Sequence, residues 1–494
     1  MKKRVLALSV AVIGVLAACA SGPEMAGGGS VDIGRAVMPA NNGWAAAAGA
    51  VTGGAAATAE NDFTVSSRKE LVAALAKAGT APKIIRIKGT INLSTDDSGR
   101  ELTEKDYAVA PYNFNDYMKA YAPATWNQKL DKGRPIRKLT GPQEEAREAS
   151  VKKQREQITI KLPSNTTVVG VGKDAKLVKG NLWVGPESEN IIIRNIAFED
   201  AFDYFPAWDP GDSFKIDKSY PGCQDKFVDA NTGPQKCPGG RWNSEYDNIS
   251  VNGGKRVWID HCTFSDGDRP DKLFPPVYPF PQNEVTQKVQ HHDGLVDITN
   301  GADFVTISYS VFKDHDKAFL IGGSDSSKTD PGKLNVTIHN NYFENVGQRA
   351  PRVRFGKAHV YNNHYVANAT GLGTAKTDFE KHQQELAAKA THNIARGMLG
   401  VGKDSAIYSE ANVFEIKNGG ADIALAVFGG GTKAFDQGSM LNGKPVDLVK
   451  ESNALTGKNL STDVGWKPTL VATQVKPATE VPAYVKANAG AGKL

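Results

Sequence analysis

The chain has 494 residues, 40% of them hydrophobic and 23% charged, which allows a large core and excludes bulk disorder. Its 50 glycines and 25 prolines announce many turns. A formal charge of +5 over this length, with no dense basic block, excludes nucleic acid as a partner, so positive charge can matter only locally.

Met1-Lys2-Lys3-Arg4 is a positive start, and Val5 to Ala18 is an apolar run too short to span a bilayer as a mature helix. Leu16-Ala17-Ala18-Cys19 then fits a lipobox, in which the cysteine is lipidated and becomes the new N-terminus. The competing reading is an ordinary signal peptide cut near an alanine-rich site. The expectation is an exported protein, either secreted or held at a cell surface or outer membrane through a lipid on Cys19. Residues 1–19 read as the signal peptide, 20–60 as a flexible tether and N-terminal extension, and 61–494 as the folded domain. Within FTVSSRKELVAALAKAG (63–79) the pattern predicts a short amphipathic helix behind a serine cap. Residues 96–156 mix charge, aromatics and helical character, and read as an excursion packed on the outside.

From about residue 158 one octet keeps returning: IIIRNIAF (191–198), VWIDHCTF (257–264), VTISYSVF (305–312), VTIHNNYF (336–343), AHVYNNHY (358–365) and, more weakly, IYSEANVF (407–414). Each opens on alternating apolar residues, passes through polar positions and closes on an aromatic. Such self-similarity marks a solenoid whose coils bury their faces only against neighbours. β-Branched strands without helical periodicity favour strands over helical or leucine-rich repeats. The predicted fold is all-β, a right-handed parallel β-helix with the 63–79 helix as its N-terminal cap. A regular β-sandwich explains the alternation but not the aromatic-terminated octet. Asn340, Asn341, Asn362 and Asn363 recur at equivalent places, where amides could bond from coil to coil.

Inserts at 200–245 and 266–291 are rich in aromatics, Pro and Asp, and read as long loops walling a groove. Cys223 and Cys237 flank a turn-rich stretch of the first insert. In an exported protein they read as a local disulfide, because their spacing matches no zinc pattern. Cys262 lies in an apolar strand pattern and reads as a buried thiol.

Equivalent positions on successive coils lie about 4.8 Å apart, so residues distant in sequence can line one groove. The candidates are Asp247, the Asp293/Asp297 pair of HHDGLVDI, Lys317, and the arginines of GQRAPRVRFG, Arg349, Arg352 and Arg354. Fixed guanidinium forks suit a carboxylate-bearing polymer, although an arginine cluster alone fits a surface ion-pair network equally. Carboxylates from separate coils suit calcium, a hard cation that tolerates irregular oxygen geometry. Zinc is disfavoured, because the adjacent His291 and His292 point to opposite faces of an extended chain.

Taken together, VWIDHC, HHDGLVDI, the lysine of DHDKAFLIGGSD and QRAPRVRFG resemble the family 1 polysaccharide lyases, specifically the bacterial secreted pectate lyases. The likeness runs from the cap helix to the closing AGAGKL. It implies a monomeric, calcium-dependent enzyme that cleaves polygalacturonate by β-elimination to unsaturated oligogalacturonides. By the same resemblance Asp247, Asp293 and Asp297 bind calcium, Lys317 and Arg354 bind uronate groups, and Arg349 is the catalytic base. Trp258, Asp260 and His261 are structural, and Arg352 matches no functional position. An arginine base requires a lowered pKa, expected here from crowding by calcium, Lys317 and Arg354. The rivals are a polygalacturonase-type hydrolase using Asp293 and Asp297 as acid and base, a pectin lyase, and a non-catalytic surface glycan-binding β-helix.

Overall fold

The recurring octets are corners rather than single strands. In the computed structural model Glu189–Arg194 ends at Asn195 with φ 57°, and the chain resumes as Ala197–Glu199 in a second ladder. His261 (φ 48°), Tyr309 (47°), Asn340 (57°), Asn362 (52°) and Ala411 (47°) turn the following corners in the same left-handed conformation. Asparagine tolerates that region best among non-glycine residues, which explains its recurrence there.

The structure describes residues 32–494 except 123–125, 127–129, 132–133, 136–137, 211–214, 217–236, 239–240, 275–277, 279–288, 373–383, 385–386, 389–390 and 472–473. The leader with Cys19, and the Cys223 end of the expected disulfide, lie outside them. An 18-stranded sheet carries both sides of the corner, and an eight-stranded parallel sheet forms the remaining face. This is the parallel β-helix expected. Val257, Val305, Val336, Ala358 and Ile407 stand in register one above another. Past the corner, Phe198, Phe264, Phe312, Phe343, Tyr365 and Phe414 form an inward column with ring centroids 4.6–5.1 Å apart. Each such stacked pair contributes about 0.5–1.5 kcal/mol beyond its burial.

Beside that column runs an amide ladder. Asn341 Nδ2 donates to Asn363 Oδ1, and Asn363 Nδ2 to Asn412 Oδ1, both at 3.0 Å. The four asparagines singled out by sequence therefore divide by role: Asn341 and Asn363 stack, while Asn340 and Asn362 supply the bend. Cys262 is a buried free thiol, as expected.

The cap helix spans Arg68–Ala78, with Ser67 accepting from Glu70 N at 3.2 Å. The residues just before it form a strand, Asp62–Val65, so the helix is shorter than 63–79. Leu71, Ala74 and Leu75 cover the first coil, and Leu448 and Val449 of the helix Leu448–Thr456 join the same core at the other end. The 96–156 excursion contains Glu104–Tyr107, Phe114–Ala120 and Pro142–Ile158. It shares an aromatic cluster with the two inserts, where Trp208 lies 5.5 Å from Trp242 and 4.8 Å from Tyr278.

The extension placed at 20–60 needs a correction. Ile33–Leu494 forms one body, so residues 33–60 belong to the folded domain rather than to a tether. Met38, Ala45 and Val51 are buried against Ile192 and Trp258. Backbone approach is so close that a Cβ on Gly54 would lie 1.8 Å from the Lys83 carbonyl oxygen. The small residues that make this segment look like a linker are what let it lie flat on the sheet.

Candidate functional site

The eight-stranded sheet sets an outward column. Lys161, Trp183, Ser250, Asp297, Leu320, Arg352 and Gly400 are in register on successive strands. Their chain neighbours Ile298, Ile321, Val353 and Val401 point inward and are fully buried. Strand alternation therefore projects Asp297 from a rigid wall.

Asp247 and Asp293 enter from the turns leading into Ile249–Asn252 and Val296–Thr299. One carboxylate oxygen from each of Asp247, Asp293 and Asp297 lies within 4.8 Å of the others. Asp247 Oδ2 accepts from Ser250 Oγ at 2.7 Å and its Oδ1 from Gly294 N at 2.9 Å, while Asp297 Oδ1 accepts from Leu320 N at 3.0 Å. A Cβ on Gly294 would sit 2.4 Å from Asp297 Oδ1 and 2.9 Å from Asp247 Oδ1, so glycine alone leaves this cradle open.

Burial and mutual repulsion set the charges. Burial, then the other two carboxylates, pushes Asp297 well above the usual carboxylate range. Burial and Asp293 push Asp247 up to about 7. Burial acts on Asp293 too, but Lys317 and Arg349 outweigh it and hold this carboxyl low. Three oxygen-bearing groups, two of them reluctant to ionise side by side, form a donor set that fits a hard divalent cation.

Lys317 ends the strand Val311–Lys317 and is 2% exposed. Its Nζ lies 2.5 Å from Asp293 Oδ1. Burial lowers its pKa, Asp293 opposes this, and Arg349 and Arg241 add to it. Arg349 follows the strand Tyr342–Gln348 at φ 58°. Its amide donates to Gly397 O at 2.9 Å and its carbonyl accepts from Phe319 N at 2.6 Å, so the bend is fixed at both ends. Arg349 Nε is buried with no hydrogen-bond partner among the described residues. Burial lowers the Arg349 pKa against the pull of Asp293 and Asp297.

The structure brings Asp247, Asp293, Asp297, Lys317 and Arg349 together. Arg354 is held differently: Nε donates to Asp325 Oδ1 at 2.5 Å and Nη1 to Gly322 O at 2.8 Å. Arg241, which the sequence did not mark, adds to the pressure on Arg349, and Lys317 and Arg349 repel one another. Arg241 lies in a short strand, Arg241–Asn243, with no motif to mark it. Arg352 sits over the Phe428 ring at 4.2 Å, in keeping with a packing role.

A second group missed by sequence lies behind the carboxylates. His315 Nε2 donates to the Asp293 carbonyl at 2.8 Å, and its Nδ1 lies 2.6 Å from Asp266 Oδ1. Burial opposes charge on this ring, but Asp266 outweighs it and raises its pKa. His292 bridges Asp271 and Asp200 at 2.9 and 3.0 Å, while His291 stacks on Phe202 at 4.3 Å. Both histidines are held within the protein by these contacts. Trp258 Nε1 donates to Ser308 Oγ at 2.9 Å, and Asp260 joins Arg194 at 2.7 Å and His261 at 2.8 Å, all in the other sheet. That motif braces the corner rather than the groove.

A pectate lyase family model matches residues 7–114, 136–236 and 228–494 of the chain. A pectate lyase of Bacillus subtilis is 41% identical over 470 residues, covering 95% of this chain and 96% of that protein. Pectate lyase A of Dickeya chrysanthemi is 32% identical over 494 residues, covering 99% and 96%. Among solved structures, a pectate lyase bound to a hexasaccharide superposes with a TM-score of 0.77 at 40% identity, covering 94% of this chain and all of that one. A pectate lyase from Acidovorax avenae subsp. citrulli gives 0.77 at 35% identity, covering 92% and 94%.

Proposed function

Because the chain belongs to the pectate lyase family, we propose that it cleaves α-1,4-linked polygalacturonate by β-elimination, releasing unsaturated oligogalacturonides, with calcium held by Asp247, Asp293 and Asp297. The observation that carries this reading is the convergence of those three carboxylates with Lys317 and Arg349 on one face of the solenoid. A hydrolase needs one carboxyl to protonate the leaving oxygen and another to activate water. Here Lys317 is already engaged with Asp293, and the three acids fit a cation cradle better than separate proton-transfer roles.

The proton to be removed lies on the carbon bearing the uronate carboxylate, so its loss adds negative charge beside an existing one. Calcium, when bound, neutralises carboxylate charge there. Lys317 binds the substrate carboxylate and shares the charge that develops on it, while Arg354 holds a neighbouring uronate by exchanging Asp325 for it. Arg349 takes the proton, a role supported by its burial, its lowered pKa and an Nε without a hydrogen-bond partner among the described residues. As the carbon–carbon double bond forms, the bond to the glycosidic oxygen on the next carbon breaks, and that oxygen gains a proton from solvent.

The test is absorbance of the 4,5-unsaturated uronate in polygalacturonate digests with and without chelator. Absorbance that requires calcium is expected; reducing ends without absorbance would establish hydrolysis instead.

The protein acts as a monomer in this reading, since helices at 68–78 and 448–456 cover the faces through which solenoids stack. It is exported and anchored through a lipid on Cys19, a placement supported by the basic start, short apolar run and Leu-Ala-Ala-Cys order. Mass spectrometry of the mature N-terminus reads that modification directly.

A further inference from the structure

Three positions on successive coils meet beside Arg349. The strand Val311–Lys317 pairs with Tyr342–Gln348 so that His315 faces Val346 and Lys317 faces Gln348, which sets Asp316 opposite Gly347. One coil further on, Gly397 bridges to Gln348, which sets Arg396 opposite Gly347 in turn. Val346 and Ala395 are core residues, so the residue after each points outward. Asp316 and Arg396 thus stand two strand spacings apart, about 9.5 Å along the axis, with a glycine between them. Their side chains close that distance, since Arg396 Nη2 donates to Asp316 Oδ1 at 2.5 Å.

The glycine admits the bridge. A Cβ on Gly347 would lie 2.4 Å from Asp316 Oδ1, so a side chain there would push the carboxylate away. Gln348 Nε2 adds a longer bond to Asp316 Oδ2 at 3.3 Å. The Arg396 and Asp316 side chains are 19% and 15% exposed, which shields their pairing from the screening that weakens surface ion pairs. The backbone is tied at the same level. Arg396 N donates to Gly347 O at 2.7 Å, Arg349 N to Gly397 O at 2.9 Å and Ala350 N to Met398 O at 2.8 Å. One segment therefore clasps both the bend that carries Arg349 and the carboxylate beside it.

That carboxylate is a hazard to the site it borders. Burial lowers the Arg349 pKa, and Asp316 is among the carboxylates that oppose this and favour the charged guanidinium. A base that must accept a proton is served by keeping such a group engaged elsewhere. We propose that Arg396 is a positioning residue for the elimination: by holding Asp316 across Gly347, it keeps that carboxylate from pairing with Arg349 and leaves the Arg349 guanidinium free to meet substrate. The inference rests on the reading of Arg349 as the base. Arg396 itself touches neither substrate nor calcium in this arrangement; it acts through Asp316.

The experiment measures steady-state kinetics on polygalacturonate, at one pH and saturating calcium, for wild type, Arg396→Ala, Arg396→Lys and the double variant Asp316→Asn/Arg396→Ala. Arg396→Ala is expected to lower kcat roughly ten- to hundredfold, with KM little changed. The double variant, in which no carboxylate is left stranded, should recover most of that loss, and Arg396→Lys, which keeps the charge, part of it. Thermal melts of the same proteins separate folding from function. A lower melting temperature with wild-type kcat per folded molecule, a loss confined to KM, or a fall in kcat that the double variant does not relieve overturns the proposal and leaves a structural ion pair. Substantial activity in Arg349→Ala overturns the base reading beneath it, an outcome separable because it alters neither Arg396 nor Asp316.

Discussion

His315 holds the main-chain carbonyl of Asp293 at 2.8 Å while Lys317, two residues along the same strand, reaches the Asp293 side chain at 2.5 Å. One strand thus fixes both backbone and carboxylate of one of the three residues proposed to hold calcium. Asp266 in turn fixes the imidazole from behind. Partners that orient a metal ligand typically alter metal affinity by about 10–100-fold when removed. His315→Ala is therefore expected to raise the calcium concentration for half-maximal activity by about that factor, with kcat at saturating calcium little changed. A calcium titration of activity checks this, and an unmoved half-saturation point would show that Asp293 holds its place unaided.

Asp247 and Asp297 titrate above the free-carboxylate value of about 4. In chelator the folded protein then binds more protons than the unfolded chain, so its stability falls as pH rises from about 4 through the Asp247 value of about 7. Asp297→Asn removes one of the repelling charges. The chelated variant should melt no lower than wild type at pH 8 and show a shallower loss between pH 4 and 8. It should also lose activity and most of the calcium-induced rise in melting temperature. Thermal melts with and without calcium check all three; a large destabilisation in chelator would contradict the repulsion.

The sequence made the coils and the main site legible because both leave periodic or compact traces. Aromatic-closed octets reported the inward column, and four-residue spacing put Asp293 and Asp297 at the entrance and first outward position of one strand. Its limits are equally physical. Arg241 reaches the site by folding, from a stretch that no motif marks, and His315 lies within the Lys317 motif but shows its role only through its bond to the Asp293 carbonyl. Residues 33–61 imitate a linker because lying flat on a sheet demands small side chains, and only contacts such as Met38 with Ile192 reveal the packing. Arg354 shares a motif with Arg349, yet Asp325, 29 residues upstream, claims its guanidinium.

The Asn341–Asn363–Asn412 ladder predicts a stability cost without a catalytic one. Asn363 is fully buried, donates to Ile338 O and Asn412 Oδ1, and accepts from both the backbone and side-chain amides of Asn341. Asn363→Ala strands several buried groups, each costing about 1–3 kcal/mol. A loss of about 3 kcal/mol or more is expected in denaturant melts, with unchanged activity per folded molecule. A loss below about 1 kcal/mol would mean that the ladder adjusts around the gap.

Arg349 supplies the sharpest test of mechanism. A guanidinium accepts a proton only when neutral, and a free arginine is neutral only above pH 12 or so. Burial lowers that threshold here, although Asp293 and Asp297 partly restore it. The neutral fraction grows as pH rises, and burial moves that growth to lower pH than in a free arginine, so kcat should climb with pH until calcium binding or the fold fails. Arg349→Lys keeps the charge but moves it and loses the fork, and should lower kcat by about 10²–10⁴-fold with KM changed much less. Arg349→Ala should lose the pH-dependent limb altogether. If Arg349→Ala instead retained substantial activity that still rose tenfold per pH unit, hydroxide would be the base and Arg349 a clamp on the uronate. Steady-state rates between pH 7 and 11 on the three proteins separate these outcomes, provided calcium is saturating at each pH.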